Sequence, residues 1–219
     1  MKFRKFLKGA LLSFALMAGS AAAYKVGYLL TDTMSTKPEH FVYKLKNNNG
    51  ASCTAFSVQN GFIVTAAHCV SADAEGNTTV ILQNYKGDLA TAEVIHSDEE
   101  MDIAILSSLF AKEGDGFFIA ESLYSEDDQV HFFGFLANIT MVPIKQKARI
   151  VLCRLAHDNI NIYTIGSDVW PGTSGGPLVN SDGEVIGVAS ATTTHKFNED
   201  VFRYLGVFSS IVFLSDVKF

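Results

Sequence analysis

The stretch Pro171-Gly172-Thr173-Ser174-Gly175-Gly176-Pro177-Leu178 places one hydroxyl at the tip of a glycine-rich turn. Small residues on both sides leave the Ser174 Oγ exposed and let the backbone bend tightly around it. In such a turn the N–H groups of Gly172 and Ser174 converge on one spot, where a carbonyl oxygen would become an oxyanion. An ordinary glycine-rich hairpin has the same composition, and a serine is a poor nucleophile without a base beside it. The turn gains chemical meaning only if the rest of the chain supplies a histidine and a carboxylate.

Upstream, Ser52 to Gln59 and Phe62 to Ala66 are β-rich runs joined through Asn60-Gly61. Both joining residues tolerate positive φ, which predicts a hairpin. The hairpin ends in Thr65-Ala66-Ala67-His68-Cys69, and His68 is the candidate base. In Met101-Asp102-Ile103-Ala104-Ile105-Leu106 an acid opens an apolar strand. A carboxylate there is costly to bury without a hydrogen-bonding partner, and His68 is the natural one.

The remaining chain is cut into short runs: Thr78 to Gln83, Leu89 to Ile95, Val130 to Phe135, Ile139 to Ile144, Ala148 to Leu155, Ile160 to Ile165, Leu178-Val179, Val185 to Ser190 and Tyr204 to Leu214. A polar break at 111–116 and the acidic run Ser125 to Asp128 separate two halves. No segment has a long helical period and no solenoid-length repeat stands out. Many short strands at turn spacing predict an all-β barrel or sandwich, with a helix at the extreme C-terminus left open.

The 219 residues are 48% apolar and 18% charged, which fits a globular chain with a sizeable core and excludes a disordered one. The net charge of −6 speaks against nucleic-acid binding, which needs a basic face. Residues 1–23 have the layout of a secretory signal peptide: Lys2, Arg4, Lys5 and Lys8, then an apolar run from Gly9 to Gly19, then Ala21-Ala22-Ala23. The apolar run is short for a bilayer span, so no stable membrane insertion is expected once it is cleaved; retention as an anchor is the alternative. Residues 24–40 read as an arm or linker. Export to a secreted or periplasmic location permits disulfides. Cys53, Cys69 and Cys153 are an odd set, so one is free or paired between chains. Cys153, inside an apolar strand, reads as a buried free thiol. His40, His96, His131, His157 and His195 lack ligand spacing, so neither metal nor cofactor is expected.

With these boxes in the order His68, Asp102, Ser174, the chain resembles the chymotrypsin-like (trypsin-like) serine proteases. Thr-Ala-Ala-His-Cys resembles the family's histidine box, Asp-Ile-Ala-Ile-Leu its aspartate box and Pro-Gly-Thr-Ser-Gly-Gly-Pro-Leu its serine box. Cys53, sixteen residues before Cys69, matches the disulfide that braces the histidine hairpin. The likeness runs from about residue 40 to 214. It implies two six-stranded antiparallel β-barrels, about 41–110 and 117–219 within a peptidase domain at 41–219, with the site in the cleft between them. It also implies a His68–Asp102–Ser174 triad, an oxyanion hole at Gly172 and Ser174, and protein or peptide substrates.

Thr173 stands where the zymogen-activated animal enzymes hold an aspartate. The chain is in this respect closer to the bacterial, HtrA-like branch, and a PDZ domain after the peptidase is not expected. Asp168, six residues before Ser174, takes the place of the primary-pocket floor and implies Lys or Arg at the cleaved position. It can equally cap a turn in Gly166-Ser167-Asp168. By the same resemblance Ser190 sits behind Asp102, and Ala191 and Thr192 pair with substrate backbone as a short strand. Trp170 and Pro171 form a pocket rim or pack. The alternative function is a catalytically silent or activator-dependent binding protein on the same fold; an esterase or acyltransferase would use the same triad. Oligomeric state is not readable.

Overall fold

The structure, a computed structural model, describes residues 37–70, 78–137, 139–155, 161–167, 169–198 and 201–211. The signal-peptide reading and most of the 24–40 arm lie outside these residues, as does the C-terminal tail. The end of the arm, Pro38–Phe41, is a 3-10 turn that feeds the first strand.

Six strands form the first barrel: β1 (Val42–Lys46), β2 (Ser52–Val58), β3 (Phe62–Thr65), β4 (Thr79–Gln83), β5 (Leu89–Asp98) and β6 (Ile103–Ser108). Six more form the second: β7 (Gln129–Gly134), β8 (Ile144–Leu155), β9 (Asn161–Ile165), β10 (Pro177–Val179), β11 (Val185–Asn198) and β12 (Val201–Ser210). The barrels close in the orders β1-β2-β3-β6-β5-β4 and β7-β8-β9-β12-β11-β10. The two sequences share no visible repeat yet trace one connectivity. All the pairings between these strands are antiparallel, and closure leaves neither described sheet with an unpaired outer strand.

The Asn60-Gly61 hairpin forms as predicted: Val58 pairs with Phe62, and Gly61 takes a φ of +82°. Ile139 to Ile144 is a correction. Only Ile144 joins a strand, and residues 139–143 are loop. Ile139, Met141 and Val142 are 78%, 68% and 60% exposed, so apolarity there does not report burial. Thr140 closes the loop instead, its Oγ1 accepting the Leu136 N–H at 3.0 Å. The last hairpin is longer than expected, with β11 reaching Asn198 through the β-branched run Thr192 to Thr194.

Each barrel is filled from alternate strand positions: Leu45, Phe56, Ile63, Leu82 and Leu106 in the first, Phe132, Ile150, Tyr163, Ile165 and Phe208 in the second. Burying side chains of this size stabilises the fold by about 1.5–3 kcal/mol each. The first core does not stop at its own barrel. Phe117, on the segment between barrels, packs edge-on to Phe56 and reaches Phe133 of β7 at 6.1 Å. Val179, Val185 and Val188 join the same cluster, so one apolar body holds the two barrels together.

Candidate active site

His68 lies on a 3-10 turn, Ala67–Cys69, that follows β3 directly. A disulfide between Cys53 on β2 and Cys69 fixes this turn to the barrel. Asp102 sits one residue before β6 with a φ of +53°, a conformation that β-carbon sterics make uncommon outside glycine, asparagine and aspartate. Its carboxylate receives three donors. The His68 backbone N–H reaches Oδ1 at 3.0 Å, His68 Nδ1 lies 3.0 Å from Oδ1 and 2.8 Å from Oδ2, and the Ser190 hydroxyl donates to Oδ2 at 2.6 Å. Ser190 reaches it because the ladder between β11 and β12 slips between Ala189 and Ala191, a bulge that re-aims the residue in between.

Electrostatics follow from these contacts. Burial opposes ionisation of Asp102, but the bonds from the His68 ring, Ser190 and the His68 N–H outweigh it and hold the carboxyl below its ordinary range. The His68 imidazole is pushed up, first by its hydrogen bond to Asp102, against a smaller opposing effect of burial. The imidazole remains 46% exposed while the carboxylate is 19% exposed, so the pair presents its histidine outward.

Ser174 is carried by the turn before β10 and pressed against the first barrel. The Thr54 N–H donates to the Ser174 carbonyl at 2.8 Å, and the Cys69 sulfur lies 3.8 Å from the same oxygen. Within the turn, the N–H groups of Thr173, Gly175 and Gly176 donate to Trp170, Ala189 and Thr173 carbonyls. Those of Gly172 and Ser174 have no partner among the described residues. The Pro171 carbonyl accepts from the Ala137 N–H at 2.9 Å. A trans peptide directs its N–H opposite to its C=O, so the Gly172 N–H faces away from Ala137. Gly172 must be glycine: φ is +96° and a β-carbon would sit 2.4 Å from the Ala137 nitrogen.

Beside Ser174 opens a cavity of about 500 Å³ lined by Val169, Trp170, Pro171, Ala189, Ser190 and Ala191. Its described walls are largely apolar. Trp170 is 55% exposed and stands at the rim. Asp168 lies outside the described residues. Ala191 and Thr192 pair with Val207 and Gly206 of β12. Among the described residues, β10 pairs no further along β11 than Val188, so the other edge of Ala191 and Thr192 is open. Thr173 is wholly buried, and its hydroxyl donates to the Trp170 carbonyl at 2.6 Å.

His68 also groups with Cys53 and Cys69, their ligand-type atoms all within 4.8 Å, but the disulfide consumes both thiols. Cys153 is unpaired, as expected, but only partly buried; its thiol donates to the Tyr124 carbonyl at 3.3 Å, and burial raises its pKa. His40 stacks on Tyr85 with ring centroids 3.8 Å apart.

Twin six-stranded barrels with a histidine–carboxylate pair on one and a glycine-turn serine on the other define a chymotrypsin-like architecture. The family described as the trypsin-like peptidase domain matches residues 52–188, and the chain belongs to it. It is 30% identical over 149 residues to a probable periplasmic serine endoprotease, DegP-like, of Chlamydia muridarum, covering 63% of this chain and 28% of the relative. It is 32% identical over 147 residues to the serine protease Rv3671c of Mycobacterium tuberculosis, covering 62% of this chain and 34% of that one. The chain thus spans about a third or less of these relatives. The crystal structure of the active form of Rv3671c superimposes with a TM-score of 0.66 at 22% identity, covering 81% of this chain and 79% of that one, a likeness of fold.

Proposed function

We propose that this protein is an exported serine endopeptidase using Ser174, His68 and Asp102. The reading rests on one observation above all: a carboxylate with three donors, two of them from His68, behind a half-exposed imidazole. Ser174 Oγ attacks the scissile carbonyl as His68 Nε2 takes its proton, and the resulting imidazolium is held by Asp102. The proton then passes to the leaving amine, and water resolves the acyl-enzyme through the same base. The N–H groups of Gly172 and Ser174, unpartnered among the described residues, receive the oxyanion at each step, a contribution of about 10²–10³ in rate per donor. Ser190 keeps Asp102 in place, and the open edge at Ala191 and Thr192 pairs with the substrate chain.

The local bond of Thr173 to Trp170 supports a turn that needs no newly cut N-terminus to order it. The signal-peptide layout and the Cys53–Cys69 disulfide support a secreted or periplasmic location. Among the described residues no helix is long and apolar enough to cross a membrane. The Lys or Arg preference rests on Asp168 alone, because the described cavity walls carry no charge.

Cleavage of a mixed peptide library beside the Ser174→Ala variant is the test. Cuts after Lys and Arg that vanish in the variant support the peptidase and the role of Asp168. Cuts after apolar residues keep the peptidase and remove the basic pocket. An absence of cuts by folded protein favours the silent or activator-dependent binding protein.

A further inference from the structure

Building on the reading of Ser174 as nucleophile, we infer that Thr54 is a positioning residue for the reaction, clamping the two residues whose N–H groups would hold the oxyanion. Thr54 follows the disulfide cysteine on β2 and is completely buried. Its Oγ1 donates to the Gly172 carbonyl at 2.8 Å and accepts the Phe135 N–H at 2.9 Å. The direction of this relay is fixed. The Phe135 N–H can only donate, so the single hydroxyl proton is aimed at Gly172. The Thr54 N–H donates to the Ser174 carbonyl, and the Thr54 carbonyl is itself held by Thr65 Oγ1 at 2.7 Å.

A carbonyl fixes the plane of the whole peptide that it belongs to. Glycine has wide freedom in both φ and ψ, so the planes on either side of Gly172 need external support. The Ala137 N–H holds the upstream plane through the Pro171 carbonyl, and the Thr54 hydroxyl holds the downstream plane through the Gly172 carbonyl. One clamp comes from the loop after β7 and the other from the first barrel, and Phe135 ties the two together. The cavity beside Ser174 is lined by other residues, so Thr54 touches no substrate. Its effect belongs to the transition state, when the oxyanion forms.

The experiment compares Thr54→Val, which keeps the shape and deletes the hydroxyl, with Thr54→Ser, which keeps the hydroxyl. Turnover is counted per active site titrated with a serine-reactive phosphonate. Thr54→Val is expected to lose about 10- to 100-fold in kcat with KM little changed, since a misplacement near 1 Å can cost about 10²-fold. Thr54→Ser should restore most of it. A peptide aldehyde, which mimics the tetrahedral state, should lose affinity in Thr54→Val by the same factor as kcat, while a non-reacting product peptide should not. A purely structural role would lower thermal stability and leave kcat per titrated site and aldehyde affinity intact, which would overturn the proposal. Should Thr54→Val be recovered unfolded, Thr54→Ala against Thr54→Ser decides: equal kcat overturns the inference and a lower value in Thr54→Ala supports it. A wild-type protein without turnover, or turnover that survives Ser174→Ala, sinks the peptidase reading and this inference with it. Turnover that needs Ser174 and ignores the Thr54 hydroxyl sinks the inference alone.

Discussion

Replacing Asp102 with asparagine changes one atom, and the structure dictates which way the new amide must face. Oδ1 receives the His68 backbone N–H at 3.0 Å, and Oδ2 receives the Ser190 hydroxyl at 2.6 Å. A backbone N–H cannot turn away, whereas a serine hydroxyl can rotate to become an acceptor. The amide oxygen of Asn therefore takes the Oδ1 place and its NH₂ takes the Oδ2 place. That NH₂ lies against His68 Nδ1, now 2.8 Å from Oδ2, and donates to it. The ring is forced into the tautomer protonated at Nε2, which cannot accept the Ser174 proton. A wrong tautomer with intact geometry costs about 10⁴-fold in kcat. The variant also removes the hydrogen bond that raises the His68 pKa. In the wild-type enzyme kcat/KM should fall tenfold per pH unit below that raised pKa, and in Asp102→Asn the acidic limb should move to lower pH. Stopped assays with active-site-titrated protein from about pH 5 to 9, spanning the imidazole range, measure both effects. A variant within tenfold of wild type, or an acidic limb that stays in place, would refute the tautomer argument.

Gly175→Ala should be among the most damaging small substitutions: φ is +82° and a β-carbon would lie 2.2 Å from the Thr54 carbonyl oxygen and from Thr65 Oγ1. Left-handed strain and overpacking together predict a loss of about 3 kcal/mol, read as a lower urea midpoint with unchanged slope; a shift under a third of that would mean the turn relaxes freely. Thiol titration of the native protein should find one reactive cysteine, Cys153, and reduction of the sixteen-residue Cys53–Cys69 loop should cost about 3 kcal/mol. Three thiols in the unreduced protein would rule that bridge out. Folding raises the His68 pKa, so this group's stabilising effect is present at low pH and lost as pH rises through the folded-state pKa, opposite to its effect on activity. The difference in urea midpoint between wild type and His68→Ala should accordingly shrink on going from about pH 5 to 9, and a constant difference would contradict the shift.

The candidate site was legible in sequence wherever its residues are marked by their immediate neighbours. His68 is flagged by the hairpin that delivers it, Asp102 by the apolar strand that it opens, and Ser174 by its glycines. The short runs also told the fold class. What stayed hidden depends on contacts between distant residues. The first strand, Val42–Lys46, went unread because Lys44 breaks its apolar pattern, yet Lys44 is buried between β2 and β4. Ile139, Met141 and Val142 misled in the opposite sense, being apolar and exposed. The common connectivity of the barrels has no counterpart in sequence, because closure is set by pairings such as β1 with β4 and β7 with β10. Thr54 gave no signal: its partner Gly172 is 118 residues away.

That separation changes what the glycines of the serine turn are for. Read from sequence, they bare the Ser174 hydroxyl and let the chain bend. In the folded protein Gly175 is bounded by Thr54, Thr65 and Ala66 of the first barrel, and Gly172 by Phe135 and Ala137 of the second. Both are therefore demanded by close approach as well as by φ. The consequence is that Ser174 takes its position from the first barrel as well as from the second, to which the chain assigns it. The Thr54 N–H holds its carbonyl, and the backbone of Thr54 and Ala66 with the Thr65 hydroxyl blocks any side chain at the next residue. His68 takes its position from the same barrel through the Cys53–Cys69 bridge, and Cys53 and Thr54 are adjacent on β2. One two-residue segment of β2 thus indexes His68 and Ser174 to each other. A change that slides one barrel against the other moves the Thr54–Ser174 contact and leaves the Cys53–Cys69 bridge in place, so the spacing of His68 and Ser174 depends on the apolar cluster around Phe117 and Phe133 that joins the barrels.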